Sequence, residues 1–170
     1  MINNYLSSAG FKIIFKRLPN VEFFSNKILL PSVTTNAAKT DTPLRAYYSV
    51  GDHLAYADLD LTFIIDEDMK NYREIYDWLK GIGSPDSLDQ YDELKDSADG
   101  DTSDISVLIL NSHKQPNLEV TYLNAMPIGL TPVSLDLSNQ DVIYPEATVT
   151  MRYDAFDIKK LGWQTAQYLL

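Results

Sequence analysis

The hydrophobic pattern changes its period between residues 59 and 82, and this change constrains the fold more than any other feature of the sequence. From residue 59 to residue 65, apolar and polar residues alternate, as in a β-strand with one apolar and one solvated face. Apolar residues then recur at the spacing of a helix that lays one stripe on a core. The strand positions are Leu59, Leu61, Phe63 and Ile65, and the helix positions are Met69, Tyr72, Ile75, Tyr76, Leu79 and Ile82. We therefore predict a strand followed by a helix over residues 67–81.

Capping residues mark both ends of this helix. Asp66 or Asp68 is expected to accept backbone N–H bonds as the N-cap, where the helix dipole favours negative charge. Lys80, Gly81 and Gly83 supply the signals that end a helix.

Composition restricts the class of protein. At 170 residues and 45% apolar, the chain is long enough for one core and short for two, so we expect residues 1–170 to form a single domain. No apolar run is long enough for a membrane span and no signal segment opens the chain, so we expect a soluble protein with no membrane partner. The absence of cysteine excludes disulfides and thiolate metal sites. A formal charge of -10 argues against specific binding of duplex nucleic acid through a basic face.

Period-2 alternation predicts further strands on both sides of the central stretch. They cover residues 11–15, 21–30, 105–109, 118–122, 133–137 and 147–153, with a turn at 18–20, a bulge or break at 25–27 and a connector at 126–132. Because helices do not alternate with these strands, we predict a mainly β fold, an antiparallel sandwich or barrel with one flanking α-helix.

Residues 32–54 form an unusually long connection between two core strands. A connection of this length is usually functional or disordered, and the aromatic residues in it argue against simple disorder. We expect an extended loop or hairpin that packs on something outside its own subunit. The alternative is a hairpin folded back on its own sheet.

Two other segments lie outside the predicted strands. Residues 84–104 are rich in acid and are expected to be a solvated surface loop. Their aspartates invite a calcium site, but the spacing of an EF-hand loop is not met, so no metal is predicted. The C-terminal segment 155–170 extends beyond the last predicted strand and is apolar enough to require a docking surface.

The sequence gives no positive support for catalysis. His53 and His113 lie in predicted loops without paired ligands, and no cysteine is available as a nucleophile. No glycine-rich phosphate loop or GxSxG turn is present, so no cofactor is predicted. Asp58 and Asp60 share one face of a strand, where solvent exposure is a more common role than acid and base catalysis. We predict a protein that is not an enzyme.

The order of these elements resembles the tail tube protein family of contractile-tailed bacteriophages, which is related to other phage tube proteins and to the tube protein of type VI secretion. The matching segments are FKIIFKRL, the strand ending in LPS, the loop TPLRAYYSVGD, the strand LDLTFIIDED, the helix NYREIYDWL and the closing strand ATVTMRYDAFDI. The strand entering a helix that carries Tyr72, Tyr76 and Trp78 is the most recognisable part. The resemblance covers most of the chain.

The resemblance implies a structural virion protein of the tail-tube fold. Six copies would join their sheets edge to edge into a ring-shaped barrel, and rings would stack through the long loop at 32–54. A stacking contact between different surfaces propagates as an open filament until another protein caps it. Double-stranded DNA would pass through the channel during ejection without specific binding, because an acidic wall repels phosphate. The protein would be assembled in the host cytoplasm and located in the phage tail.

Particular residues take on roles under this resemblance. The inter-ring contact is expected at Leu44, Arg45, Tyr47, Tyr48 and Val50, acids facing the lumen at Asp58, Asp60 and Glu119, and a C-terminal docking arm at Phe156, Leu161, Trp163 and Tyr168. The expected partners are further copies of the chain, the sheath protein, and tube adaptors at the baseplate and neck. The acidic segment 84–104 is a candidate for facing the sheath.

Three alternatives remain open. The chain is either the main tube subunit or an initiator, adaptor or terminator ring with the same fold at the baseplate or neck. A calcium- or carbohydrate-binding β-sandwich module would instead place function in the acidic segment or in the aromatic residues 44–56. A hydrolase would need a pocket that the sequence does not announce.

Overall fold

The computed structural model describes residues 5–6, 10–15, 17–51, 53–85, 100–136 and 143–161. Eleven strands and two helices occur within these residues. In chain order they are β1 (Phe11–Phe15), α1 (Pro19–Phe24), β2 (Ser25–Leu29), β3 (Val33–Thr35), β4 (Ala38–Asp41), β5 (Ala46–Ser49), β6 (Leu54–Tyr56), β7 (Leu59–Ile64), α2 (Lys70–Gly83), β8 (Ser103–Leu110), β9 (Pro116–Leu130), β10 (Glu146–Arg152) and β11 (Ala155–Lys160). All strand pairs are antiparallel, which confirms the predicted mainly β fold.

Seven strands form two linked half-sheets that share the long strand β9. Sheet I contains β1, β8, the first half of β9 and β11, and sheet II contains the second half of β9, β10, β7 and β2. Strand β9 pairs with β11 through residues 118–123 and with β10 through residues 126–130. Asn124 lies between these two segments with a φ of 54°, and its Nδ2 donates to Asp154 Oδ2 at 2.8 Å. The left-handed residue marks the change of partner, because asparagine tolerates this conformation better than most residues.

The core lies between the inner faces of the half-sheets and is closed by α2. Alternate residues of every central strand point into it, as the period-2 pattern requires. Its fully buried side chains include Phe15, Leu61, Phe63, Ile75, Ile105, Val107, Val120, Tyr122, Val149 and Met151. Trp78 of α2 meets Phe15 edge to face at 6.2 Å between ring centroids and donates its Nε1 proton to the Asp101 carbonyl oxygen at 3.2 Å. The predicted apolar stripe of the helix is therefore its core-facing side.

The start of α2 differs from the prediction. The N-cap is Met69, in the left-handed region at a φ of 53°, and no side chain caps the helix. Asp68 instead forms an ion pair with Lys70 at 2.6 Å, and the Lys70 hydrogen bond and charge lower the pKa of Asp68. The junction is held by the buried Asn71, whose Nδ2 donates to the Ile64 carbonyl oxygen at 2.8 Å. Its Oδ1 accepts the Asp66 amide proton at 3.3 Å, so one amide side chain ties the strand end to the helix.

The predicted second strand, residues 21–30, is wrong in its first part. The helix α1 occupies Pro19–Phe24, where the turn and the start of the strand were expected. Proline suits the first helical turn because its fixed φ is helical and its missing N–H is not needed there. The predicted irregularity at residues 25–27 is confirmed, since the pairing register of β2 with β7 shifts between Ser25 and Lys27.

Two predictions near residue 130 are also wrong. The expected connector 126–132 is mostly strand, because β9 continues to Leu130. Pro127 is tolerated in it at a register shift opposite Thr150 and Met151, where the ladder is already irregular. The expected strand 133–137 is not formed in its described part, 133–136, and Leu137 lies outside the described residues.

Candidate assembly surfaces

The long connection between β2 and β7 is a β-ribbon that we call the arm, residues 32–57. Strand β3 pairs with β6, and β4 pairs with β5, so the described arm pairs with itself rather than with sheets I and II. Several of its apolar side chains stand exposed: Leu44 is 96% exposed, Val50 88% and Tyr48 70%. The arm is therefore ordered by its own hydrogen bonds and presents apolar surface to its surroundings.

Three contacts shape the tip of the arm. The Arg45 guanidinium lies over the Tyr47 ring at 4.5 Å and donates from Nη2 to the Tyr47 hydroxyl at 2.7 Å. The Thr42 amide donates to the Arg45 carbonyl oxygen at 3.1 Å, which closes the turn. At the other end of β5, a Cβ on Gly51 would lie 1.4 Å from the Asn36 carbonyl oxygen, so only glycine fits there.

An aromatic cluster anchors the base of the arm to the body of the subunit. Tyr56 of β6 packs against Tyr153 and Phe156, and both of these rings contact Tyr122. The Tyr153 hydroxyl donates to the Ala57 carbonyl oxygen at 2.8 Å. Burial raises the pKa of Tyr122 well above its usual value, and its buried hydroxyl has no hydrogen-bond partner. These ring contacts and this hydrogen bond fix the base of the arm to the body of the subunit.

The described part of the C-terminal segment, residues 155–161, does not extend freely beyond the last predicted strand. Residues 155–160 form β11 on sheet I, and Phe156 packs into the aromatic cluster of its own subunit. The Leu161 amide donates to the Asn117 carbonyl oxygen at 3.0 Å, which continues the pairing by one residue. Trp163 and Tyr168, the other predicted docking residues, lie outside the described residues.

The solvent face of sheet II carries a ladder of paired polar side chains across β7 and β10, which we call the polar ladder. Arg152 Nη1 lies 2.6 Å from Asp58 Oδ1, and the Thr150 hydroxyl donates to Asp60 Oδ1 at 2.8 Å. The hydroxyls of Thr62 and Thr148 lie 3.0 Å apart. The two aspartates therefore share one surface, where one of them is paired with a cation.

The third predicted lumen acid, Glu119, lies elsewhere. It belongs to the sheet I half of β9, in register with Leu108 and Lys159. The predicted set of three acids is thus divided between two surfaces, because residue 119 precedes the bend in β9 that leads into sheet II. Sequence reasoning missed Thr62, Thr148, Thr150 and Arg152, whose pairing depends on the register of β7 with β10.

Sheet II has two edges that no described strand covers. Strand β2 pairs only with β7, and residues 126–130 of β9 pair only with β10 among the described residues. Exposed apolar side chains stand at both edges, Leu29 on β2 and Ile128 on β9. Open edges with apolar side chains are surfaces on which another strand can pair.

Two further properties of the described residues concern metal ligands and membrane-spanning helices. It contains no group of three or more His, Asp or Glu side chains placed to hold a metal ion. The predicted calcium alternative concerns mainly residues 86–99, which lie outside the described residues. None of the described helices is long and apolar enough to cross a bilayer.

Solved structures of contractile injection systems share this fold. The anti-feeding prophage tube-terminating cap matches with a TM-score of 0.66 at 13% identity, over 95% of this chain and 95% of its own. A chain of the anti-feeding prophage baseplate matches with a TM-score of 0.62 at 16% identity, over 93% of this chain and 97% of its own. A chain of the sheath-tube complex of the PVC extracellular contractile injection system gives 0.58 at 12% identity, over 94% and 95%. The fold is therefore that of tube-type proteins of contractile systems.

The chain belongs to the phage tail tube protein family, whose model matches residues 1–159. No curated protein sequence matches it significantly. The family match confirms the resemblance inferred from the sequence. The protein is a structural component of the tail-tube type and not an enzyme.

Proposed function

We propose that this chain is a tail tube subunit, and that rings of six copies stack into the channel through which DNA leaves a contractile phage tail. Family membership supports the tube-type role. The observation that carries the finer proposal is that no described strand covers either edge of sheet II, at β2 and at residues 126–130 of β9. Closing such a sheet into a barrel with neighbouring copies removes both edges at once.

Strand geometry makes a ring of six a suitable channel. Sheet II contributes four strands from each copy. Roughly two dozen strands, spaced about 4.8 Å apart and tilted by about 40°, close a barrel about 50 Å across between backbones. After side chains line the wall, the opening remains wide enough for a DNA duplex.

In the same proposed arrangement, only one face of sheet II can line the lumen of the channel. The inner face of sheet II is covered by sheet I and α2 of its own subunit, so only the opposite face is free to line the barrel. That face carries the polar ladder, including Asp58 and Asp60. The Arg152 cation on this face is already paired with Asp58, and its neighbours are hydroxyls and Asp60. The face therefore offers DNA phosphates no uncompensated cation, which favours sliding of the DNA over adhesion. Glu119 would then lie outside the lumen.

The partners follow from the same proposal. Chains with this fold come from a sheath-tube complex, a baseplate and a tube-terminating cap. This supports the sheath protein and the adaptors of the baseplate and neck as partners. The proposal also includes assembly in the host cytoplasm and a final location in the virion tail, of which the tail location is supported by family membership. It also favours a second candidate, an initiator or terminator ring, since two of these structures are a baseplate and a cap.

Native mass spectrometry of two matched variants tests the ring. Ile128 stands at the open edge of sheet II and is 50% exposed, while Ile158 stands on β11 of sheet I and is 57% exposed. We expect a six-copy species for the unmodified chain, its loss in Ile128→Lys because a charge disfavours edge pairing, and its retention in Ile158→Lys. Equal behaviour of the two variants, or a monomer throughout, would count against closure through sheet II.

A further inference from the structure

An apolar groove of about 600 Å³ lies at the end of sheet II where β7 finishes and β10 begins. We call it the end groove. Its apolar lining includes Phe24, Ile64, Met69, Val133, Leu135 and Tyr144. Leu135 and Tyr144 are 80% and 69% exposed, so the described part of the subunit leaves this surface largely uncovered. Exposed apolar surface of this kind commonly marks an interaction site.

The end groove and the arm lie at opposite ends of the same strand. The arm enters β7 at Leu59, whereas the groove begins at Ile64, the last residue of β7. Strand β2 runs antiparallel to β7, so Phe24 before β2 lies at the groove end and Leu29 lies at the arm end. A surface at one end that fits a different surface at the other end joins copies head to tail and propagates without closing.

The charges of the two surfaces are complementary. In the arm, Lys39 is paired with Asp41 at 2.9 Å, which leaves the Arg45 cation at the tip without an acidic partner among the described residues. At the rim of the groove, Asp68 is paired with Lys70, which leaves Asp66 and Glu67 as net negative charge. The apolar tip with a cation therefore matches an apolar groove with an acidic rim.

We propose that the end groove receives the arm of a second copy of this chain in the adjoining ring. Leu44 and Tyr48 cover Leu135 and Tyr144 in this contact, and Arg45 lies against Glu67. This inference rests on the proposed stacking of rings and specifies which surface accepts the arm. It also accounts for two apolar surfaces that the described part of the subunit leaves exposed.

Cysteine cross-linking tests the contact cleanly, because the natural chain contains no cysteine. In the full chain, the double variant Leu44→Cys with Leu135→Cys should give a ladder of covalent multimers after mild oxidation, since each copy links to the next. The matched double variant Leu44→Cys with Ile158→Cys keeps the arm cysteine and moves the second one to exposed β11. It should remain at the size of one chain.

A charge exchange gives an independent measurement. Arg45→Glu should weaken ring stacking about tenfold or more in light scattering, because it sets two acids against each other. Adding Glu67→Lys should restore stacking, whereas adding Asp77→Lys on the exposed side of α2 should not. The wild-type contact should also weaken with salt.

The outcomes separate this inference from the proposed function. Tubes that form normally while the Leu44–Leu135 pair gives no ladder would overturn the groove contact and leave the tube role intact. Absence of any rings or tubes from the unmodified chain would overturn both. A ladder together with restoration by Glu67→Lys supports both.

Discussion

The arm and sheet II differ in how far their apolar side chains are buried within one subunit. In sheet II, alternate residues are buried, and Phe63 has no exposed surface. In the arm, apolar residues stand in solvent, and Leu44 is 96% exposed. Burial of apolar area is the main favourable contribution to folding, so sheet II is stabilised within one chain, whereas the exposed tip of the arm gains little of this contribution from its own subunit. The difference separates residues that specify the fold from residues to which the proposed function gives a role in assembly.

The largest expected effect comes from removing the arm. Deleting residues 36–50 takes away a ribbon that pairs only with itself among the described residues, so the body should still fold. We expect unchanged cooperative unfolding by circular dichroism and complete loss of stacking in electron micrographs. Normal tubes from the deletion variant would show that the arm is not the stacking element.

A matched pair of truncations compares the two regions directly. Phe63→Ala empties a fully buried site and should lower the free energy of unfolding by about 3–5 kcal/mol. Leu44→Ala alters an exposed site and should change it by less than about 0.5 kcal/mol. Urea denaturation measures both, and a large loss in Leu44→Ala would mean that the arm also supports the fold of its own subunit.

A smaller effect is expected at the junction of β7 and α2. Asn71→Ala removes the amide that bonds Ile64 and Asp66, and leaves buried backbone groups unpaired. We expect a loss of about 1–3 kcal/mol in the free energy of unfolding. Asp77→Ala, on the exposed side of the same helix, is the control and should be nearly neutral. Similar results for both variants would remove the role assigned to Asn71.

The smallest effect concerns two tyrosines at the base of the arm. Tyr153→Phe loses the bond to Ala57 and should cost about 1 kcal/mol, whereas Tyr122→Phe removes a hydroxyl without a partner and should be neutral or stabilising by up to about 1 kcal/mol.

Stability at alkaline pH gives a further comparison between Tyr122→Phe and the natural chain. Burial raises the pKa of Tyr122 in the folded state, so above the unfolded value of 10.0 the unfolded chain loses this proton more readily than the folded chain. The free energy of unfolding therefore falls as pH rises above 10.0. Tyr122→Phe should therefore lose less stability than the natural chain between pH 9 and pH 11, as measured by urea denaturation. An identical loss in the two proteins would contradict the assigned pKa direction.

The periodicity of apolar residues predicted the strand and the helix at the centre of the chain. The strand at residues 59–64 and the apolar stripe of α2 could be found because alternation and helical spacing report burial. The start of α2 was missed because Asn71, inside the first turn, bonds the backbone of Ile64 and Asp66, whereas capping rules look for a polar residue before the helix. The continuation of β9 through Pro127 was missed because proline is a local breaker whose cost depends on its partner strand.

The assembly surfaces were less predictable for a related reason. Length and aromatic content identified residues 32–54 as unusual, but the split into two ribbon pairs depends on registers between residues far apart. The partners of Asp58 and Asp60 on β10 lie about ninety residues away, so no spacing in the sequence announces them. The end groove likewise combines residues from four separate parts of the chain.

The central claim is that copies of this chain form rings that stack through the arm. Negative-stain electron microscopy of the purified full chain over a concentration series, with light scattering on the same samples, tests it most directly. We predict six-fold rings at low concentration and tubes that lengthen as concentration rises. A particle of single-chain size at every concentration would contradict the claim, and rings that never stack would instead identify an adaptor.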